Sequence, residues 1–392
     1  MTVRVEAQVE PAVLAWARGS AGLDVATAAK KIPVKPDRLE GWERGEGRPT
    51  IAQLRKLGTA YKRPLAVFYL PEPPTEFQAL RDFRRLPGDT PVESPELRFQ
   101  VRLAQDRREI AQDLLEAMEG EAPAFVLTAD DHEDSENLGV RLREFVGLTG
   151  AEQERWAAGY ETLNALRAKF ETAGVLVFQA TDVELKEMRA FCIYSERLPA
   201  IVLNIKDAIA GRIFSLFHEL THLALRQFGL CNVSPEELPT GGTDDQRIEQ
   251  LCNRVAAAAL VPRDRLLGTP LISSGATVSS WSDTDLRQLA ETFGVSREVI
   301  LRRLRTLDVI TNAYFEAKLR EFHEEYLRQP SREGGFAPPH RMALASAGPA
   351  FVRLVLASYS QDRITASDVA GLLGVRLKHL SRIESDLMRA AS

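Results

Sequence analysis

Apolar residues recur along the chain at helical spacing far more often than at alternate positions, so most of its elements are predicted to be helices. Val13, Leu14, Trp16 and Ala17 open an amphipathic helix, Asp24 is placed to cap a second over Val25 to Lys31, and Pro36 to Arg44 makes a third that packs Leu39 and Trp42. Ser94 followed by Pro95 starts a long helix that runs to about Glu119, with Leu97, Val101, Ala104, Ala111 and Leu115 on one stripe and its arginines on a solvated face. Helical patterns cover Ser135 to Leu148 and Tyr160 to Ala173. Three short strands follow, at Val175 to Gln179, Arg189 to Tyr194 and Ala200 to Leu203. Farther on, Asp285 to Leu307 reads as two helices about a Phe293-Gly294-Val295 turn, and residues 345–392 hold a similar pair around Gly374. The pattern therefore predicts a mainly α chain with a small β-sheet, an α+β fold.

One helical run departs from amphipathicity. In Gly211 to Arg226, Ile213, Phe214, Leu216, Phe217, Leu220, Leu223, Ala224 and Leu225 make the surface apolar nearly all round, as in a buried element. Yet it carries His218, Glu219 and His222. Histidines four apart lie one turn apart on one face, so both imidazoles can converge on a single zinc-like ion. Glu219 follows the first of them directly, which places a general base beside a water at that ion. A catalytic zinc needs three protein ligands and an open position, and the next helix, Arg247 to Leu260, halted by Pro262, offers Glu249 as the third. Asn253, one turn after Glu249, is placed to orient a ligand. The strand Pro199 to Asn204, just before the metal helix, is a candidate edge for holding extended peptide. The loop from Cys231 to Asp245, between the two helices, is a candidate lid.

HELTH, followed by E-x-x-C-N-x-V-A-A-A-A-L-V-P, resembles the ImmA/IrrE family of metallopeptidases. Cys252 and Val255 stand where the family usually has alanine and phenylalanine. The resemblance implies a zincin-like domain with His218, His222 and Glu249 as metal ligands and Glu219 as the catalytic base. It also implies Zn2+, with Mn2+ or Fe2+ able to replace it at such a site. The N-terminal stretch WERGEGRPTIAQLRKLGTAYKRPLAVFYLPEPP, Trp42 to Pro74, resembles the Xre/Cro-type helix-turn-helix family in the version fused to these peptidases. On that likeness Lys35, Arg38 and Arg44, with Lys30 and Lys31 nearby, are the DNA-contact candidates. Asp37, Glu40 and Glu43 on the same helix, and Pro33 where the family usually has glycine, depart from that pattern.

The expected organisation is a helix-turn-helix domain at 1–74, a linker and connecting helix at 75–120, a metallopeptidase domain at 121–330 with a helix-turn-helix-like segment at 285–307, and a C-terminal helical extension at 331–392. The net charge of the 392-residue chain is −5, but residues 1–74 hold 12 Lys and Arg against 8 Asp and Glu, so positive charge is concentrated there. Three cysteines without a close pair suit a reducing compartment and exclude a disulfide framework. With no run of 18 apolar residues and no signal-peptide core, a cytoplasmic location off the membrane is expected. Together these readings predict a metal-dependent endopeptidase with a DNA-binding module. Its expected substrate is a regulatory protein such as a helix-turn-helix repressor, in stress response or in mobile-element or toxin–antitoxin control. The alternative is a DNA-binding regulator or antitoxin-like protein whose peptidase-like domain is a sensor. A homodimer is compatible with either.

Overall fold

The computed structural model describes residues 6–74, 81–82, 93–156, 159–227, 229–231, 244–273, 281–328 and 338–391. Two compact units are formed, Met1–Ala79 with Arg85–Gln105, and Leu80–Arg84 with Asp106–Ser392. Among the described residues no single helix is long and apolar enough to cross a membrane.

The smaller unit is a helical bundle of α1 (Pro11–Ser20), α2 (Val25–Lys31), α3 (Pro36–Glu43) and α4 (Ile51–Tyr61), joined by the first half of α5 (Pro95–Ala117). Local chemistry sets the helix ends. Asp24 accepts from the Thr27 amide at 2.7 Å, Thr50 and Gln53 form a reciprocal capping box, and Lys62 closes α4 at φ +53°. Leu14, Ala17, Leu39, Trp42, Leu54, Leu57, Tyr61 and Phe68 fill the core. Arg18 clamps α1 to α3 through both Glu43 oxygens, at 2.8 and 2.9 Å. The short turn between α2 and α3 carries Pro33.

In the larger unit, α6 (Ser135–Phe145), α7 (Gly150–Gln153) and α8 (Tyr160–Thr172) precede the main strands, and α9 (Ile209–Ala224), α10 (Asp244–Leu260), α11 (Arg263–Leu267) and α12 (Pro270–Ser273) follow them. Then come α13 (Asp283–Phe293), α14 (Arg297–Thr306), α15 (Asn312–Arg328), α16 (Pro339–Ala347), α17 (Pro349–Ser360), α18 (Ala366–Leu373) and α19 (Leu380–Ala391). The strands are β1 (Arg81–Asp82), β2 (Leu176–Ala180), β3 (Ala190–Ile193), β4 (Ala200–Asn204) and β5 (Gly229–Cys231), in the spatial order β1-β5-β3-β4-β2. β4 runs antiparallel to β3, with Phe191 opposite Val202, and parallel to β2, with Phe178 opposite Val202. This corrects the expectation of a peptide-holding edge at Pro199 to Asn204. β4 is interior, its backbone groups used on both sides, because β2 returns to pair with it in parallel. β1 and β5, two and three residues long, were not predicted.

Every residue of β2, β3 and β4 is buried, and α9 lies against β3 and β4. The core joins Val177 and Ile201 of the sheet to Leu216 and Phe217 of α9 and to Leu251 and Val255 of α10. Toward the C-terminal end of α10, Gly139 of α6 lets the two helices touch. A Cβ there would come within 2.9 Å of both the Ala258 methyl and the Ala259 amide nitrogen. Gly139→Val is expected to cost about 2 kcal/mol or more, read as a lowered urea midpoint, because the backbone of α10 must move to admit it.

The arginines of α14 are bound within the fold. Arg303, 2% exposed, holds the Val261 carbonyl at 2.8 Å and both Glu136 oxygens. Arg297 pairs with Asp283 and Glu325 over the Phe322 ring, Arg302 pairs with Glu298 at 2.8 Å, and Arg305 with Asp308 at 3.0 Å. Packing and ion pairing within the larger unit use these groups. Arg107 of α5 also departs from the solvated face expected of that helix, being buried with its guanidinium on the Ser346 carbonyl at 3.0 Å.

Candidate metal centre

α9 is built to be buried, and its motif residues go inside with it. Glu219 and His222 are wholly enclosed and His218 is 5% exposed, despite the cost of removing polar groups from water. α10 brings Glu249, equally buried, to the same point from the facing helix. His218 Nε2, His222 Nε2 and the Glu249 carboxylate converge there: the two nitrogens are 3.2 Å apart, Glu249 Oε1 is 3.0 Å from His222 Nε2, and Glu249 Oε2 is 3.3 Å from His218 Nε2.

Hydrogen bonds on the outer sides of the rings fix what faces inward. His218 Nδ1 donates to Asn253 Oδ1 at 3.0 Å, and His222 Nδ1 to Gln227 Oε1 at 3.4 Å. With the ring protons used there, each Nε2 presents a lone pair toward the other and toward a carboxylate, an arrangement that only a positive charge satisfies. The electrostatics agree. Burial opposes charge on His218, but the Glu249 carboxylate outweighs it and raises the pKa. Burial likewise pushes Glu249 up, and the two histidines overcome it to hold the carboxyl below its usual range.

The donor set fits a divalent metal ion. Tetrahedral bonds of about 2.0–2.1 Å to nitrogen and oxygen imply donors roughly 3.3 Å apart, close to the separations observed. Two imidazoles and a carboxylate suit zinc, and manganese or iron is also compatible. Cys252 is not among the converging donors, and burial raises its thiol well above the ordinary range. A second group with metal-compatible spacing among the described residues, Asp130, Asp131 and His132, is exposed. Residues 232–243, which make up most of the proposed lid, lie outside the described residues.

Gln227 escaped the sequence reading. It follows the end of α9, and its role depends on the chain turning back there, for which only the position just past the motif could have been a signal. Asn253→Ala is expected to weaken metal affinity about 10- to 100-fold by releasing the His218 ring, measured by competition with a chromogenic chelator, while the fold persists.

The DNA-contact candidates all lie in the smaller unit. Lys30 and Lys31 are exposed in the last turn of α2, and Lys35 precedes α3. Arg38 stacks on Trp42 at 5.5 Å, and Arg44 pairs with Glu46 at 2.8 Å and Glu40 at 3.3 Å.

Fold and site together define a metallopeptidase-type domain. The family model described as the IrrE N-terminal-like domain, Peptidase_M78, matches residues 170–305, a span that contains β2 to β4, α9, α10 and both metal-facing histidines with Glu249. No curated protein matches the chain.

Proposed function

We propose that the larger unit is a metal-dependent endopeptidase that uses zinc, with His218, His222 and Glu249 as ligands and Glu219 as general base. The observation that carries this reading is the convergence of two Nε2 lone pairs and a buried carboxylate at 3.0–3.3 Å, with Glu219 next in the chain to the first histidine. A divalent ion bound there supplies a Lewis acid and makes a coordinated water acidic near neutral pH. Asn253 and Gln227 hold the imidazoles in the Nδ1–H form, so that their Nε2 atoms stay available to the ion. Glu219 takes a proton from the attacking water as its oxygen adds to the scissile carbonyl carbon. The same carboxyl then returns that proton to the departing amide nitrogen as the C–N bond breaks. Two peptide fragments result from one water, and Glu219 ends as it began.

The substrate proposed is a regulatory protein, a helix-turn-helix repressor by the resemblance noted above, with the N-terminal bundle serving to bring the chain to DNA in the cytoplasm. The test is to incubate the metal-loaded full chain with such repressors and with a mixed peptide library, and to identify products by mass spectrometry. New termini that depend on added zinc or manganese support the proposal. A library left intact under conditions where the chain holds one metal equivalent contradicts it.

A further inference from the structure

The helix expected to read DNA is electrically spent. Between Lys35 and Arg44, Asp37 and Glu40 place negative charge among the three cations, Arg44 is engaged by Glu40 and Glu46, and Arg38 lies on the Trp42 ring. Elsewhere in the same unit, Arg18 is committed to Glu43, Arg98 to Glu93, and Arg63 to the Trp16 ring. Lys31, Arg55 and Lys56, for which no such partner is seen among the described residues, gather on another face together with Lys62, whose ammonium lies 5.8 Å from the Phe99 ring.

That face is a concavity of about 440 Å3 between the end of α2, the outer side of α4 and the start of α5, lined by Lys31, Arg55, Lys56 and Lys62 with Glu96 as its one acidic group. Lys31, Arg55 and Lys56 are exposed and have no ion pair among the described residues. Lys31 and Lys62 stand at helix C-termini, whose partial negative charge accounts for a cation at each. Arg55 and Lys56 are in the middle of α4, where no helix-end charge calls for them, and they turn the same hollow positive. Four cations from two helices and the loop end, facing one hollow of small-ligand size, suit a ligand with closely spaced phosphates, because guanidinium and ammonium groups bind phosphate oxygens through charge-assisted hydrogen bonds.

We infer that this α2–α4 concavity is an anion site for a run of phosphate groups, and that it, rather than α3, is the principal phosphate-binding surface of the N-terminal unit. Two sources offer that chemistry, a nucleic-acid backbone and a free polyphosphate chain. The inference leaves the peptidase reading untouched, since the site lies wholly within the other unit.

The experiment titrates inorganic tripolyphosphate into the full-length protein at low ionic strength by calorimetry, for wild type, Arg55→Ala/Lys56→Ala, Lys31→Glu and the α3 control Lys35→Ala/Arg38→Ala. All of these side chains are exposed, and circular dichroism verifies that each variant folds. The expected result is saturable one-site binding to wild type and to the α3 control, weakened at least about tenfold in both concavity variants and falling with added salt. A mixed-sequence DNA duplex that displaces tripolyphosphate identifies the backbone as the source. Duplex that leaves tripolyphosphate bound identifies a free polyphosphate. Lack of saturable binding to wild type overturns the inference, as do concavity variants that bind like wild type or a loss confined to the α3 control.

Discussion

Glu219→Gln is expected to keep its metal and its fold while losing proteolysis by about 10²- to 10⁴-fold, the range typical for removal of a general acid–base group. The substitution changes one oxygen for nitrogen in a side chain that is fully enclosed, so packing around α9 is preserved. None of the three converging donor atoms belongs to Glu219, so the ligand set is intact. What disappears is the ability to accept a proton from the attacking water and return it to the leaving nitrogen. The check pairs metal analysis with product formation on the same preparation. Hydrolysis at the wild-type rate would show that another group is the base. Full biological activity in the non-hydrolysing variant would instead favour a regulator whose metal domain acts as a sensor.

Glu171→Gln is expected to make the larger unit more stable at pH 8 by up to about 3 kcal/mol and to flatten its stability between pH 5 and 8. Glu171, on α8, accepts from the Ala350 amide at 3.0 Å in the first turn of α17, beside the left-handed Gly348 where a Cβ would strike the Val177 carbonyl at 2.6 Å. Burial pushes its carboxyl up to about 7, only partly offset by Arg167, the Ala350 amide and Arg353. The folded value thus lies above the ordinary one near 4.5, and the folded state binds the extra proton. Stability from this group is present in full below about pH 4.5 and is lost as pH rises through 7. Glutamine retains an oxygen for the Ala350 amide and carries no charge to bury. Urea midpoints measured from pH 5 to 8 decide the matter. A wild-type midpoint that does not fall over this interval, or a variant less stable at pH 8, would contradict the account of this contact.

What sequence could reveal of the site follows from how local its chemistry is. His218 and His222 are related by one helical turn, so their convergence is written in their spacing. Glu249 and Asn253 repeat that relation on a second helix, and only the meeting of the two helices is nonlocal. Gln227 lies beyond a helix end, where direction depends on how the chain turns. The interior position of β4 was not legible because it depends on β2 pairing in parallel across a gap of some twenty residues, with nothing in Ala200 to Asn204 that distinguishes an edge from a centre. Nothing in the local sequence marks Arg303 as buried. Its acid, Glu136, is 167 residues away in sequence, and a buried pair of that reach leaves no mark in a window of any ordinary length. The strands β1 and β5 are too short to show a period at all.

The central claim is that His218, His222 and Glu249 form one metal site, and metal content per chain tests it most directly. Elemental analysis is made on wild type, His222→Ala and Glu249→Ala, purified without chelator or metal-affinity resin. The account predicts one equivalent in wild type and a sharp fall in both variants, each still folded by circular dichroism. Wild type that takes up no metal even after incubation with zinc or manganese, or variants that retain a full equivalent, would contradict it.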